Sequence, residues 1–367
     1  MPIAPRHLAL ACLLAAPAGW AQAADPKVEV LAEGLDQAWS LAELPDGRWL
    51  ISERGGQLRV WAQGALQTTP IAGVPAEFAE GQGGLLGLLV DREFASNQIV
   101  YLSYAHGNRR ANGTRLARAR LVGDALQELQ PIFSAQPLKD TSAHFGGRLA
   151  QLADGSLLLT LGDGFTYREA AQDLRSHLGK IVRINPDGSV PADNPFRHRS
   201  DALPEIYSYG HRNVQGVLFD AGTGTLWSHE HGPRGGDELN RILPGANYGW
   251  PVATRGLDYS GAQVTPFATY AGMQDAVHGW TPSIAPSAMT LYRGTLFAQW
   301  QNNLLVTALA GKSLRRLSPR TDGGFDEETL LAARGERLRD VQVAADGSVL
   351  VLTDGSPGRL LRLTPSP

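Results

Sequence analysis

Short apolar runs separated by tight polar turns recur along the chain, and their spacing fits strands rather than the helical period. ELPDGRWLISE at Glu43, QLADGSLLLTLGD at Gln151, FDAGTGTLWSHE at Phe219 and VAADGSVLVLTDG at Val343 each read as strand, tight turn, strand. Looser versions, VDREFASNQIVYLSYA at Val90 and LYRGTLFAQWQNNLLVTAL at Leu291, bring the number to six, at irregular spacings of roughly 45 to 75 residues. Repeated hairpins with further strands between them predict an all-β fold: a six-bladed β-propeller of four-stranded antiparallel blades, with inserted loops absorbing the uneven spacing. The N-terminal strand VEVLAEGL is expected to join the last blade and close the ring. Helix-like pieces such as REAAQDL read as loop insertions.

Composition agrees with many short strands, since the 367 residues include 42 Gly and 23 Pro and only 19% are charged. Lys+Arg 33 against Asp+Glu 36 gives a net charge of -3, and no basic run appears, so nucleic acid is not an expected partner. The start, MPIAPRHLALACLLAAPAGWAQA, has positive residues, an apolar stretch from Leu8 to Ala16 and small residues at Ala21 and Ala23. That is the pattern of a secretory signal, too short to span a membrane. The expected organisation is therefore a leader over 1–23 and a single propeller over 24–367, periplasmic or secreted. The one cysteine, Cys12, falls in the leader, which excludes thiolate catalysis and Cys-ligated metals in the mature chain. No GxGxxG follows a strand and opens a helix, so a dinucleotide fold is excluded as well.

Candidate chemistry lies where hairpins open. In SAHFGGRLAQLADGSLLLTLGDG, RLAQL and SLLLTL pair about a turn at Asp154, with His144 about ten residues before it and Asp163 about nine after. Pairing would set the two side by side, and an imidazole beside a carboxylate is oriented and more basic. Other open ends carry Glu53 and Arg54; Arg212, Asn213, His231 and Gly232; and Arg337, Arg339 and Asp354. A propeller gathers those ends on one face, and such convergence marks a ligand site. Arg212, Arg337 and Arg339, joined by Lys312 from GKSLRRL, suit a compact polyanion better than a neutral sugar. In SHEHGPRGGDELNRILPGANYGWP, Gly-Pro and Gly-Gly make an irregular backbone whose carbonyls can turn inward, while Asp237, Glu238 and the nearby Asp258 offer hard oxygens. Carbonyls and carboxylates are calcium ligands, although acidic loops are more often simply solvated.

The stretches GQGGLLGLLVDREF, HFGGRLAQLADGSLLLTLGDG, YSYGHRNVQG, EHGPRGGDELN, NYGWP, WTPSIAPSAM and RLRDVQVAADGSVLVLTD together resemble the soluble quinoprotein glucose and sorbosone dehydrogenases, above all their aldose sugar dehydrogenase branch. The resemblance implies a six-bladed propeller that binds pyrroloquinoline quinone (PQQ) and calcium and oxidises aldoses at C1 to lactones. Carried onto this chain, it makes His144 the base that takes the C1 hydroxyl proton while hydride moves to the quinone C5, with Asp163 orienting it. Arg212 and Asn213 resemble the groups that meet the quinone oxygens, Arg212 also counting as catalytic. Lys312, Arg337 and Arg339 resemble those that neutralise its carboxylates. Gln82 and His231 fall at positions near the cofactor, and Trp280 at a position near the substrate. The carbonyls of Gly232 and Pro233 resemble the ligands of a calcium that touches the cofactor. Glu238, Tyr248 and Asp258 resemble a second, structural calcium site.

Ala143 stands where the glucose dehydrogenase branch has aspartate, His231 where it has glutamine, and the region between Tyr259 and Trp280 is short. A broad range of aldoses, disaccharides included, an external electron acceptor and a monomer are therefore expected. Two alternatives use the same type of propeller. A calcium-dependent lactonase would need no cation cluster, and a non-catalytic binding module would leave His144 and Asp163 without a task.

Overall fold

In the computed structural model, which describes residues 25–366, each of the six predicted hairpins forms the inner pair of a four-stranded antiparallel sheet. The innermost strands are Ala38–Glu43, Leu85–Val90, Leu149–Gln151, Val214–Asp220, Pro286–Leu291 and Leu338–Val343. Neighbours in that order contact one another and the last contacts the first, so the six sheets close a ring. Lys27–Leu35 pairs antiparallel with Gly358–Thr364 and becomes the outer strand of the last blade, as predicted. The ring is thus fastened by the two ends of the chain, and the last blade has no free outer edge for Gly358–Thr364. The piece REAAQDL contains only a short 3-10 turn, Arg168–Ala171, and no helix among the described residues is long and apolar enough to cross a membrane. The expected leader and Cys12 lie outside the described residues.

Turn chemistry repeats with the hairpins. Asp154 accepts the Ser156 amide at 3.0 Å, Asp346 that of Ser348 at 2.9 Å, and Asp46 that of Arg48 at 3.1 Å. Each aspartate side chain mimics a backbone acceptor and fixes the reversal, and so sets the register of the strands it joins. Arg183 and Arg362, one on the third strand of each blade, brace Asp154 and Asp346.

The apolar core lies between blades. Six clusters each span two consecutive sheets, as when Leu50, Leu58 and Val60 of the first blade meet Leu85, Val100 and Leu102 of the second. Each such side chain contributes about 1.5–3 kcal/mol on full burial. Because blades are held through both faces, their open ends are free to carry polar groups.

Candidate active site

Those open ends surround a cavity of about 460 Å³ on one face of the ring. Every blade contributes to its wall: Gln37, Gln82, Phe145, Asn213, Ala285 and Arg339 come from six different sheets or the loops that lead into them. Of the groups expected there, Arg54, Asn213, His231, Arg337, Arg339 and Asp354 line it, whereas Glu53, His144, Asp163, Arg212 and Gly232 do not.

The pairing about Asp154 holds in register, Leu149 opposite Leu159 and Gln151 opposite Leu157. Beyond Leu149 the chain leaves the ladder. His144 sits in the left-handed region at φ 53°, and Gly146 follows at φ 67°. A Cβ at Gly146 would come within 2.4 Å of the Thr160 carbonyl, and one at Gly162 within 2.3 Å of the His144 carbonyl. The glycines in HFGG and LGDG thus let two backbones touch, and the approach brings His144 Nδ1 to 2.6 Å from Asp163 Oδ1. Both side chains are buried. Asp163 Oδ2 accepts the Trp250 indole N–H at 2.8 Å, and Oδ1 also accepts the Phe165 amide at 2.7 Å. A carboxylate held at both oxygens fixes the imidazole's tautomer, with the proton on Nδ1 and the lone pair on Nε2. Gln82 Oε1 accepts the His144 amide at 2.8 Å and locks the backbone. Burial lowers the pKa of His144; Asp163 opposes this, and Arg212 and Lys139 add to it. The ring is consequently neutral near pH 7 and available as a base.

Arg212 and Asn213 come from the loop that enters the fourth blade. Glu230, buried, accepts the Arg212 amide at 2.6 Å and His211 Nδ1 at 2.8 Å, and so shapes the GHRN turn from below. The Arg212 guanidinium donates to the Gly232 carbonyl at 2.8 Å and lies over Trp250. Asn213 Oδ1 accepts the Gly146 amide at 3.2 Å, which ties the fourth blade to the hairpin of His144. His231 donates Nε2–H to the Pro286 carbonyl at 2.8 Å, and burial drops its pKa to about 3. It therefore presents a neutral ring with a free Nδ1 to the cavity.

Three guanidinium groups line the cavity, those of Arg54, Arg337 and Arg339, against the single carboxylate of Asp354. Asp354 pairs with Arg337 at 2.8 Å and with Arg339 at 2.8 Å. Burial and then the charge of Arg339 depress the pKa of Arg54, and its Nε is buried without a hydrogen-bond partner. A cation with an orphaned donor beside another cation is a place for an anion. Lys312 is not in this wall; it is exposed in the turn between Leu304–Ala308 and Ser313–Pro319. There the left-handed conformation of Lys312, φ 45°, belongs to the turn.

The hard-oxygen groups divide. Gly232, Glu238, Tyr248 and Glu230 border a second, much smaller space of about 10 Å³, room for a single water-sized occupant. Arg212 borders this space as well; burial, and then the nearby Glu230, push the Glu238 carboxyl up to about 8, with Arg255 opposing the rise. Asn240 donates to both carboxylates, at 3.4 and 3.3 Å, and its Oδ1 is buried without a partner. The Tyr248 hydroxyl is engaged with the Leu243 amide and the Arg241 carbonyl, which leaves its backbone rather than its phenol as a donor of oxygen. Pro233 is buried beside Gly232, and the Cβ of Gly256 would lie against its ring. Asp258 is not brought to this space. It sits on a partly exposed turn, accepts Ser260, and lies 3.9 Å from Arg168. Among the described residues no group of three or more His, Cys, Asp or Glu is placed to hold a metal, so a cation here would draw on backbone carbonyls.

Trp280 also departs from its expected position. It lies on the outer strand of the fourth blade, opposite Asp237, packs between the fourth and fifth blades, and donates its indole N–H to Glu327 at 2.8 Å. It does not line the cavity. Residues that sequence reasoning missed include Trp250, Glu230 and Arg148. Arg148 lies at the bottom of the site, bonded to Asp340 at 3.1 Å and to the carbonyls of Gln215, Ser287 and Arg339, with Trp39 stacked on it at 4.1 Å. One guanidinium thereby joins five blades across the axis.

Comparison with known proteins agrees with the fold. The glucose/sorbosone dehydrogenase family model matches residues 35–362. The aldose sugar dehydrogenase YliI of Escherichia coli is 42% identical over 353 residues, 94% of this chain and 95% of its own. Quinoprotein glucose dehydrogenase B of Acinetobacter calcoaceticus is 28% identical, over 89% of this chain and 85% of its own. The PQQ-bound aldose sugar dehydrogenase of Streptomyces coelicolor superposes with a TM-score of 0.76 at 29% identity, covering 94% of this chain and 99% of its own.

Proposed function

The chain belongs to the glucose/sorbosone dehydrogenase family and is an oxidoreductase acting on sugars, and on that premise we propose that it oxidises aldoses at C1 to lactones with PQQ and calcium, passing the electrons to an external acceptor. The observation that carries this reading is the buried His144–Asp163 pair directly behind Phe145 and Gly146, which line a cavity with three arginines and one carboxylate. When bound, PQQ supplies the two-electron acceptor that side chains lack, and calcium supplies Lewis acidity.

The protein's own groups do the rest. Oxidation of a C1 hydroxyl to a lactone removes one hydride and one proton, and His144 takes the proton on Nε2. Asp163 holds Nδ1–H and stabilises the imidazolium that forms. Trp250 and the Phe165 amide keep that carboxylate in line. Arg54, Arg337 and Arg339 offer charge to the cofactor's carboxylates, and Arg212 and Asn213 offer donors to its carbonyl oxygens. Gln82 and His231 complete the wall. Gly232 and Pro233 would hold a calcium beside the cofactor through their carbonyls, the Arg212 guanidinium giving up the Gly232 carbonyl that it meets here. The Glu238–Tyr248 region would hold a second. An arginine excess of this kind has no use in a lactonase. The leader over 1–23 would export the domain over 24–367 to the periplasm or beyond.

The test is direct. Apo-protein is given PQQ and calcium, and aldose-dependent bleaching of a redox dye is followed. Activity should require both additions. Full turnover in chelator with a nicotinamide cofactor alone would refute the reading.

A further inference from the structure

The mouth of the site carries an apolar surface that proton transfer and cofactor binding do not use. Phe165 and Tyr259 are 45% and 59% exposed, and their rings lie side by side and near-parallel, at 28° with centroids 6.1 Å apart. Phe165 in turn meets the His144 imidazole edge-on at 5.1 Å. The three rings form a row that begins at the base and runs outward into solvent.

Phe165 occupies this place at φ 70°, a conformation that a bulky residue adopts only under constraint. Its one hydrogen bond to the dyad, from its amide N–H to Asp163 Oδ1, is made by the backbone and would survive with glycine at the same φ. Burial does not repay the strain, because nearly half of the residue's surface faces water. What glycine would lack is the ring itself. Tyr259 is similar: it rests against Arg212, whose guanidinium its hydroxyl meets at 3.3 Å, and leaves most of its ring uncovered. Adjacent exposed aromatics continuous with a polar site mark a binding surface.

The geometry points to a sugar-stacking shelf with two places, Phe165 under the reacting pyranose and Tyr259 under the next unit of a disaccharide; this rests on the sugar-oxidising reading above. A pyranose offers an apolar C–H face to an aromatic ring and hydroxyls at its edge, and needs no charge from its partner. A sugar whose C1 hydroxyl reaches His144 Nε2 must lie beside Phe165, and a 1,4-linked second ring then falls one ring further out, where Tyr259 stands.

Two measurements test the shelf. In the PQQ- and calcium-loaded enzyme, Tyr259→Ala should lower the ratio of kcat/KM for maltose to that for glucose by about tenfold, through KM, the size of one lost contact. Tyr259→Phe keeps the ring and should hold the ratio, whereas an effect transmitted through Arg212 would appear in both variants. In the protein without quinone, calorimetric binding of methyl maltoside, which is blocked at C1, should weaken about tenfold in Tyr259→Ala relative to methyl glucoside. An unchanged ratio and unchanged binding in Tyr259→Ala, or equal losses for the mono- and disaccharide, would overturn the shelf. Failure of the oxidation reading would instead show as no turnover of any aldose, and the calorimetry still decides the shelf.

Discussion

Arg148→Met isolates one charge on which most of the ring converges. The variant keeps an unbranched apolar stem but removes five interactions: the ion pair with Asp340, three carbonyl bonds, and the stacking on Trp39. Asp340 is left fully buried with only the amides of Leu41 and Val341. Stranding one member of a buried pair costs about 3–5 kcal/mol. At roughly 0.7 kcal/mol/K of unfolding entropy for a domain of this size, that is a fall of about 4–7 °C in melting temperature. The loss should depend on pH. Burial already raises the Asp340 pKa, and without Arg148 it rises further. A folded pKa above the unfolded one means that stability is fully present below the unfolded value, about 3.9, and is lost as pH rises through the folded value. The gap between variant and wild type should therefore be widest near pH 7 and narrow towards pH 4. Adding Asp340→Asn should recover about half of the loss, since it removes the uncompensated charge. Thermal melts of the single and double variants across pH are the assay. A single variant that melts within about 1 °C of wild type at pH 7 would refute the claim that this pair ties the blades together.

Other predictions concern the site and its acid sensitivity. His144→Gln should keep the fold and quinone binding but slow reduction of the bound quinone by saturating aldose about 10²- to 10⁴-fold in stopped flow, and Asp163→Asn should also slow it. An unchanged rate in the first would move the base elsewhere. Because burial lowers the pKa of His144, the acid limb of kcat/KM should lie below the ordinary imidazole value of about 6.5, and a limb above it would contradict the assignment. Arg339→Ala should weaken quinone binding by about 2–5 kcal/mol, roughly 30-fold to several thousand-fold, by titration. His229 is fully buried with both ring nitrogens unpartnered, and burial holds its pKa well below the usual value. A folded pKa below the unfolded one means that stability is complete above about 6.5 and is lost as pH falls towards the folded value. His229→Gln should flatten that acid loss in melts, and an unaltered slope would rule His229 out as its source.

The ring and the dyad were legible because their determinants are local. Asp-Gly turns and alternating strands state the hairpins, and a hairpin of known turn fixes which residues meet at its open end; His144 and Asp163 are 19 positions apart. Arg148 and Asp340 are 192 apart and Trp250 and Asp163 are 87 apart, so no local pattern could join them. Only closure of the ring does. The signal that points to Arg148 is its place at the head of an innermost strand, where a charge must meet the axis. Trp280, Lys312 and Asp258 were expected at the site from family resemblance, and their surroundings explain their departure. Trp280 is drawn into the interface between blades by its apolar ring and by Glu327. Lys312 and Asp258 each sit in a turn that leaves them exposed or partly exposed to water.

Strain and regularity are also divided in this fold, and the division explains why the site can exist. Left-handed non-glycine residues include His144, Phe165 and Ala285, all of which stand where strands stop at the cavity or its rim. Each costs about 1–3 kcal/mol and persists only where its surroundings over-determine it. The surroundings here are the blade ladders, whose interfaces bury many apolar side chains, and Arg148, which ties five blades beneath the cavity floor. A weaker ring would relax His144 towards the extended backbone and separate it from Asp163. The stability that Arg148 supplies and the basicity that His144 needs are therefore coupled, so Arg148→Met should lower the rate of quinone reduction as well as the melting temperature. If that rate stayed at the wild-type value while the melting temperature fell, the hairpin would hold its own geometry and the ring would serve only as support.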